Sequence, residues 1–138
     1  MTYNSSQAAF AYRKAATVLP PEMAIVRLYD CVIVLIQRTI DALEAKRRDE
    51  GFAHINKAAA ILRGLSHVLD HKKGGVLADR LSNMYAKNIV VLYSALGKAD
   101  ASSRYRKLSA GLVEMRDAWA AIAGLPTRAQ MLKPRSQP

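Results

Sequence analysis

Two histidines of the 138-residue chain, His67 and His71, stand four residues apart, the spacing at which two side chains on one helix hold a transition metal. Their segment has the pattern of one continuous helix, along which the third histidine, His54, lies about 20 Å away. Because no further ligand stands nearby in the sequence, we expect no metal site.

The carboxylates and the cysteine offer no catalytic arrangement either. Di-iron helical bundles use inward-facing Glu-x-x-His pairs, and no glutamate of this chain is followed by a histidine three residues later. The chain also lacks a Gly-rich phosphate loop and a serine, histidine and aspartate grouping with sequence support. The single cysteine, Cys31, lies within an apolar run and is expected to be a buried hydrophobic residue. We therefore expect a protein that is not an enzyme and binds no cofactor.

The formal net charge of +10 favours an anionic partner, and nucleic acid is the first hypothesis. The excess is spread along almost the whole chain, and three tight clusters stand out: Lys46-Arg47-Arg48, His71-Lys72-Lys73, and Arg104 with Arg106-Lys107. A DNA-binding helix would be dense in arginine, lysine and asparagine on one exposed face, whereas each helix here mixes both signs of charge. We expect no nucleic-acid partner and keep a basic nucleic-acid-binding bundle as an alternative function.

The apolar residues, 51% of the chain, are distributed along it and not concentrated in one segment. The longest uninterrupted apolar run, Cys31 to Ile36, is far shorter than the roughly 20 residues that span a bilayer. The first residues, Met1 to Gln7, are polar and lack the basic and apolar regions of a signal peptide. We expect no stable membrane insertion and a cytoplasmic location.

Helical periodicity dominates the chain. From Pro21 onwards, large apolar residues recur at spacings of three and four, the pattern of an amphipathic helix. Three similar stretches follow, and connections of about three to six residues favour antiparallel packing. The sequence therefore predicts an all-α fold, an antiparallel up-down four-helix bundle. The predicted helices run from Pro21 to about Lys46, from a cap at Asp49 to Gly74-Gly75, from there to near Gly97, and from Asp100 to near Gly124.

The two ends of the chain differ from the bundle. Residues 1–19 contain one short apolar cluster around Phe10 and Tyr12, too short for a stable helix unless it docks on the bundle. We expect a movable segment with an additional short N-terminal helix, within a bundle domain spanning residues 1–124. The stretch 125–138 is basic, contains prolines and has little to bury, so it is expected to be a disordered tail.

Two helices carry more apolar residues than the roughly three in every seven positions that a bundle needs. The surplus residues form a second stripe on each helix, and such a surface requires a partner: the N-terminal segment, another protein or a second copy of the chain. The predicted partner-binding residues are Phe10 and Tyr12 in the N-terminal segment, Val26, Ile33 and Val34 on the first helix, and Ile89, Val90, Tyr93 and Leu96 on the third.

Two tyrosines, Tyr29 and Tyr85, lie on the core-facing stripes of the first and third helices. A buried phenol needs a hydrogen-bond partner for its hydroxyl. We therefore predict that both are structural tyrosines with satisfied hydroxyls.

Several short motifs occur in order between Phe10 and Ala123, and their order and spacing together are specific although each motif is weak alone. They are Ala11-Tyr12 before a proline turn, Leu28-Tyr29-Asp30, Ile55-Asn56-Lys57-Ala58 with Ile61 and Leu65, Leu69-Asp70 followed by Gly74-Gly75, Leu81 with Met84-Tyr85, and Arg116-Asp117-Ala118-Trp119. In this arrangement the chain resembles the flagellin export chaperone family, FliS.

The resemblance implies a cytosolic type III export chaperone. Such a protein binds the disordered C-terminal segment of flagellin, prevents its premature polymerisation and delivers it to the flagellar export apparatus, with an export-gate protein or a co-chaperone as a further partner. An amphipathic client segment would fill the spare apolar grooves of the bundle. A self-associating structural bundle is the other alternative function, and we expect a monomer or a weak homodimer.

Up-down connectivity places the end of the first helix and the start of the fourth at the same end of the bundle. The basic residues there are expected to attract acidic groups of a client or of an export-gate partner, and to affect the association rate more than the affinity. These rim charges are Arg47, Arg48, Arg106 and Lys107.

Overall fold

A computed structural model describes residues 21–132. These residues form five helices and no strand: α1 (Pro21–Glu44), α2 (Arg48–His67), α3 (His71–Ser94), α4 (Ala101–Ala123) and α5 (Arg128–Leu132). The four long helices pack together as the predicted bundle. Helix α1 packs extensively against both α2 and α4, α2 packs against α3, and the contact between α3 and α4 is small. The predicted movable segment, with Phe10 and Tyr12, and residues 133–138 lie outside the described part of the chain.

Helix α1 is the central helix of the bundle, and its apolar arc is wide because it packs against two neighbours. Val26 and Ile33, which the sequence places in a second apolar stripe that requires a partner, are only 1% and 6% exposed and are therefore buried within the folded chain. Cys31 is exposed, which contradicts its predicted burial, because it lies on the face of α1 that also carries the exposed Arg27 and Arg38. The two packed sides of α1, and not the count of apolar residues, decide which positions are buried.

One continuous core fills the bundle and receives side chains from all four long helices. The largest apolar side chains with almost no exposed surface are Tyr29, Tyr105, Ile36, Ile40, Ile55, Leu62, Leu92 and Leu112.

Among the helices described between residues 21 and 132, none is long and apolar enough to cross a membrane.

One end of the bundle, called here the upper end, contains the loop 45–47 between α1 and α2 and the loop 95–100 between α3 and α4. Lys46, two residues after the end of α1, has a backbone φ of 60°, a left-handed conformation that is uncommon for a residue with a Cβ atom. The residue that precedes α2 is Arg47, without a side-chain capping hydrogen bond. The predicted cap, Asp49, lies instead in the first turn of α2, where its charge favours the positive end of the helix dipole.

The opposite, lower end contains the start of α1, the loop between α2 and α3, and the end of α4. Helix α2 ends at His67 and does not continue to Gly74-Gly75 as predicted. The physical reason is Asp70, whose carboxylate accepts hydrogen bonds from the backbone amides of Lys72 and Lys73, at 3.0 Å and 3.1 Å, and so begins α3. The predicted glycine break is present as a kink inside α3, at Gly75, where φ is 52° and ψ is −128°.

The end of α4 agrees with the sequence, since Gly124 caps it in the left-handed conformation with a φ of 71°. The prediction of a disordered tail is wrong for residues 125–132. Residues 128–132 form the short helix α5, because polar contacts to α1 and α4, described below, attach this segment to the bundle.

Candidate functional site

A pair of tyrosines joins α1 to α3 in the middle of the core. Tyr29 and Tyr85 are 0% and 2% exposed, and their hydroxyl oxygens lie 2.7 Å apart in one hydrogen bond. Burial disfavours the charged phenolate and raises the pKa of both hydroxyls. The prediction of buried tyrosines with satisfied hydroxyls is confirmed, and neither side chain is available to a partner protein.

A buried arginine connects two motifs that lie far apart in the sequence. Arg116 of α4 is 1% exposed, and its Nε donates to Asp30 Oδ1 on α1 at 2.9 Å. Its Nη1 donates to Asp117 Oδ1 at 3.1 Å and to the backbone oxygen of Pro126 at 2.7 Å. Burial by itself would lower the pKa of Arg116, but its hydrogen bonds with Asp30 and Asp117 outweigh this effect and raise the pKa. The guanidinium group therefore stays charged and holds α1, α4 and the segment after α4 together.

The segment that carries α5 adds a second arginine to this network. Arg128 Nη1 donates to Asp30 Oδ1 at 2.7 Å, and the Arg128 backbone amide donates to Asp117 Oδ1 at 2.9 Å. Nothing in the local sequence around Arg128 indicates this attachment, because its acceptors lie on other helices. The network connects α1, α4 and α5 in the lower half of the bundle.

The predicted surface stripe of α3 divides into two parts. Val90 is 64% exposed, whereas Ile89, Tyr93 and Leu96 are partly buried against the core. On α1, only Val34 of the predicted stripe keeps partial exposure, since the other two residues are buried. The structure therefore leaves α3, and not α1, as the main carrier of accessible apolar surface among the predicted residues.

The accessible part of α3 continues onto α2. The ring of Phe52 on α2 is 46% exposed and meets the Tyr93 ring edge-on, with 6.4 Å between ring centroids. The Tyr93 hydroxyl donates to Asn56 Oδ1 at 2.7 Å, which fixes the ring against α2. Val90 stands one turn before Tyr93 on the same side of α3. We call the surface formed by Phe52, Asn56, Val90 and Tyr93 the aromatic face.

Sequence reasoning did not identify Phe52 or Asn56 as surface contacts. A usable signal was present, because Phe52 stands three residues before Ile55, at the margin of the core stripe of α2. A large aromatic residue at the margin of an apolar stripe can contact a neighbouring helix and stay partly accessible.

A second group of exposed apolar side chains lies at the lower end of the bundle. It contains residues from the end of α2, the start of α3, the end of α4 and α5. These residues are Val68, Val76, Leu77, Ile122, Met131 and Leu132.

The predicted rim charges lie together at the upper end. Arg106 of α4 forms an ion pair with Glu44 of α1 at 2.7 Å, and Arg47 pairs with Glu50 at 3.4 Å; all four side chains are exposed. Two of the predicted rim charges are therefore partly compensated by acidic neighbours. Within the described chain, no ion pair is formed by the other two, Arg48 and Lys107.

The histidine pair does not form a metal site. His67 ends α2 and His71 begins α3, so the two are not on one helix, and His71 Nδ1 lies 2.9 Å from Asp79 Oδ1. No group of three or more histidine, cysteine, aspartate or glutamate side chains between residues 21 and 132 is placed to hold a metal ion. The described residues offer surfaces for a partner: an aromatic face, a lower apolar group and a basic upper end.

Two comparisons with known proteins bear on this arrangement. The family described as "Flagellar protein FliS" matches residues 3–126. The flagellar secretion chaperone FliSB of Pseudomonas aeruginosa is 34% identical over 82 residues. That match covers 59% of this chain and 64% of the relative, which is less than two thirds of the relative's length. Because the family match extends over nearly the whole sequence and all four long helices, this chain belongs to the FliS family of flagellar proteins.

Proposed function

We propose that this chain is a flagellar secretion chaperone that binds the C-terminal segment of flagellin in the cytoplasm. It keeps the bound segment from polymerising and delivers it to the flagellar export apparatus, without catalysis and without a cofactor. Membership of the FliS family and the similarity to a protein named a flagellar secretion chaperone support this function. An export-gate protein or a co-chaperone is a further partner in this proposal, and nucleic acid and membrane are not.

The observation that carries the proposal is the aromatic face. Val90 is 64% exposed and Phe52 46% exposed, next to a tyrosine whose hydroxyl is already fixed by Asn56. Rigid aromatic side chains beside an exposed aliphatic one form a binding surface with little conformational entropy to lose. The apolar side of an amphipathic client helix has the complementary chemistry, and a disordered flagellin segment would fold as it binds.

The N-terminal segment has a role in the same proposal. Phe10 and Tyr12 act as a movable cover for apolar surface that the client also contacts. Tyr12→Ala is then expected to change the affinity for the client and to leave the melting temperature of the bundle unchanged. Hydrogen exchange at residues 10–12 as slow as in the core, with and without the client, would refute this role.

Calorimetric titration of the full chain with a peptide of the host's flagellin C-terminus tests the function. The decisive variants are Val90→Asp on the aromatic face and Val76→Asp at the lower end, because both valines lie on α3 and are 64% and 67% exposed. We expect saturable binding by the wild type, about tenfold weaker binding by Val90→Asp, and nearly wild-type binding by Val76→Asp, since burying a charge on a binding surface costs at least about 1.4 kcal/mol.

Four outcomes would contradict the proposal. Wild-type affinity of Val90→Asp would remove the aromatic face from the contact, and equal weakening by both variants would assign the loss to the added negative charge and not to this face. Absence of peptide binding together with a molecular mass that rises with protein concentration would favour the self-associating bundle. Tight binding to DNA that weakens steeply with salt, without peptide binding, would favour the nucleic-acid alternative.

A further inference from the structure

A basic cavity opens at the upper end of the bundle, between the loops 45–47 and 95–100. Its volume is about 560 Å³, and three cationic side chains line it: Lys46, Arg48 and Lys98. Its one acidic residue, Glu44, is already paired with Arg106. Within residues 21–132, none of the three cations forms an ion pair. The cavity therefore has an excess of uncompensated positive charge.

The backbone around the cavity is held in uncommon conformations. Lys46 has a φ of 60°, and Gly97 has a φ of 104°. The Arg48 guanidinium lies against Gly97, in the space that a Cβ atom at this position would occupy. Only glycine permits both this φ and this close approach of the guanidinium. Lys46 and Gly97 each follow the end of a long helix, and their positive φ values turn the chain into the two loops that line the cavity.

The surroundings of the cavity distinguish between anionic partners. Of the acidic residues at the same end of the bundle, Glu50 and Asp100 are already paired with Arg47 and Arg104, whereas Asp49 forms no ion pair within residues 21–132 and would meet the continuous negative charge of a nucleic acid. A short acidic peptide can place its carboxylates on the three cations alone. The aromatic face also leads towards the cavity, since Arg48 stands one turn before Phe52 on α2. A polypeptide that occupies apolar surface on α2 and α3 can thus extend an acidic stretch into the cavity.

We propose that this basic cavity binds the carboxylates of an acidic segment of a protein partner. Lys46, Arg48 and Lys98 supply the charge, Gly97 positions Arg48, and the apolar side chains of Leu43 and Ala99 line the remaining wall. This site does not require that flagellin is the client, and it differs from the predicted rim charges, of which only Arg48 belongs to it.

The test titrates a hexaglutamate peptide into the isotope-labelled full chain at low salt and follows backbone amide shifts. The decisive variant is Lys46→Gln, Arg48→Gln and Lys98→Gln together. Its matched control is Lys72→Gln, Lys73→Gln and Arg80→Gln, which removes two lysines and one arginine at the other end of the bundle. Both variants lose the same net positive charge. The non-specific electrostatic attraction between the chain and the acidic peptide is therefore reduced equally in the two variants.

We expect saturable shifts centred on residues 97–102 in the wild type. The cavity variant should bind hexaglutamate about tenfold more weakly, and the control should bind within about twofold of the wild type. The proposal is overturned by shifts that do not saturate, by equal weakening in both variants, or by a 12-base-pair DNA duplex that displaces the peptide through the same three cations. Affinity for the flagellin peptide, measured on the same two variants, reports separately on the proposed function.

Discussion

The buried network around Arg116 makes a quantitative prediction about stability. Replacing Asp30 by alanine removes the carboxylate that accepts from Arg116 Nε at 2.9 Å and from Arg128 Nη1 at 2.7 Å. Arg116 is 1% exposed, so its charge then remains in the core with fewer partners. The expected loss of stability is therefore much larger than for an ion pair on the surface.

The magnitude follows from what remains after the substitution. Breaking a buried ion pair by removing one partner costs about 3–5 kcal/mol. Arg116 keeps its bonds to Asp117 and to the Pro126 carbonyl, and the Asp30 side chain is itself 21% exposed. We therefore expect the lower limit, about 3 kcal/mol. With a urea m-value of about 2 kcal/mol/M, the unfolding midpoint should fall by about 1.5 M.

Urea unfolding followed by circular dichroism measures this effect. The control is Glu50→Ala, which breaks the Arg47–Glu50 pair, whose side chains are 68% and 48% exposed. That variant should lose less than about 1 kcal/mol, because solvent screens an exposed ion pair. If Asp30→Ala and Glu50→Ala lower the midpoint equally, the Arg116 network contributes no more than a surface pair and the reasoning from burial is wrong.

Three further predictions concern the tyrosines and glycines. Tyr29→Phe and Tyr85→Phe should each lower the free energy of unfolding by about 1 kcal/mol and should hardly change the affinity for flagellin. The double variant should lose less than the sum of the two, because both substitutions remove the same hydrogen bond. Additive losses in thermal melts would contradict this prediction. Burial raises the pKa of Tyr105 from 10.0 to about 12, so the stability that it contributes is fully present below pH 10 and is lost as the pH rises through about 12. Between pH 10 and pH 12, the free energy of unfolding should decline less for Tyr105→Phe than for the wild type. An equal decline in the two proteins would refute this effect of Tyr105 burial. Gly97→Ala should destabilise the protein by about 1–2 kcal/mol, because the φ of Gly97 is 104°. Gly111→Ala should stabilise it by about 0.5–1 kcal/mol, because Gly111 lies within α4 with open space around its Cα atom. Chemical denaturation of the two variants measures both changes.

In these proposals, the aromatic face and the basic cavity contribute different interactions to partner binding. The aromatic face offers apolar contact area on α2 and α3, and the cavity offers positive charge one helical turn away from Phe52. Apolar burial mainly sets how long a complex lasts, while charge mainly sets how fast and with which partner it forms. The variants at Val90 and at Arg48 separate these two contributions.

The sequence by itself determined the four long helices, their up-down order and the burial of Tyr29 and Tyr85. These features follow from local periodicity and short connections, which act within one helix or between neighbours in the chain. The sequence also carries a signal for the start of α3, because aspartate is a favoured N-cap residue and Asp70 occupies that position. This signal was not used, because the apolar periodicity of the preceding helix continues to Leu69.

Only the tertiary structure decided which apolar stripes stay accessible. Ile33 is buried and Cys31 exposed because α1 packs against two helices, and a helical pattern does not state how many neighbours a helix has. The meeting of Arg116 with Asp30 across 86 residues, and the attachment of α5 through Arg128, likewise depend on which helix ends come together. These contacts pair the buried charge of Arg116 with the partly exposed Asp30, and this arrangement exists only once the helices have packed.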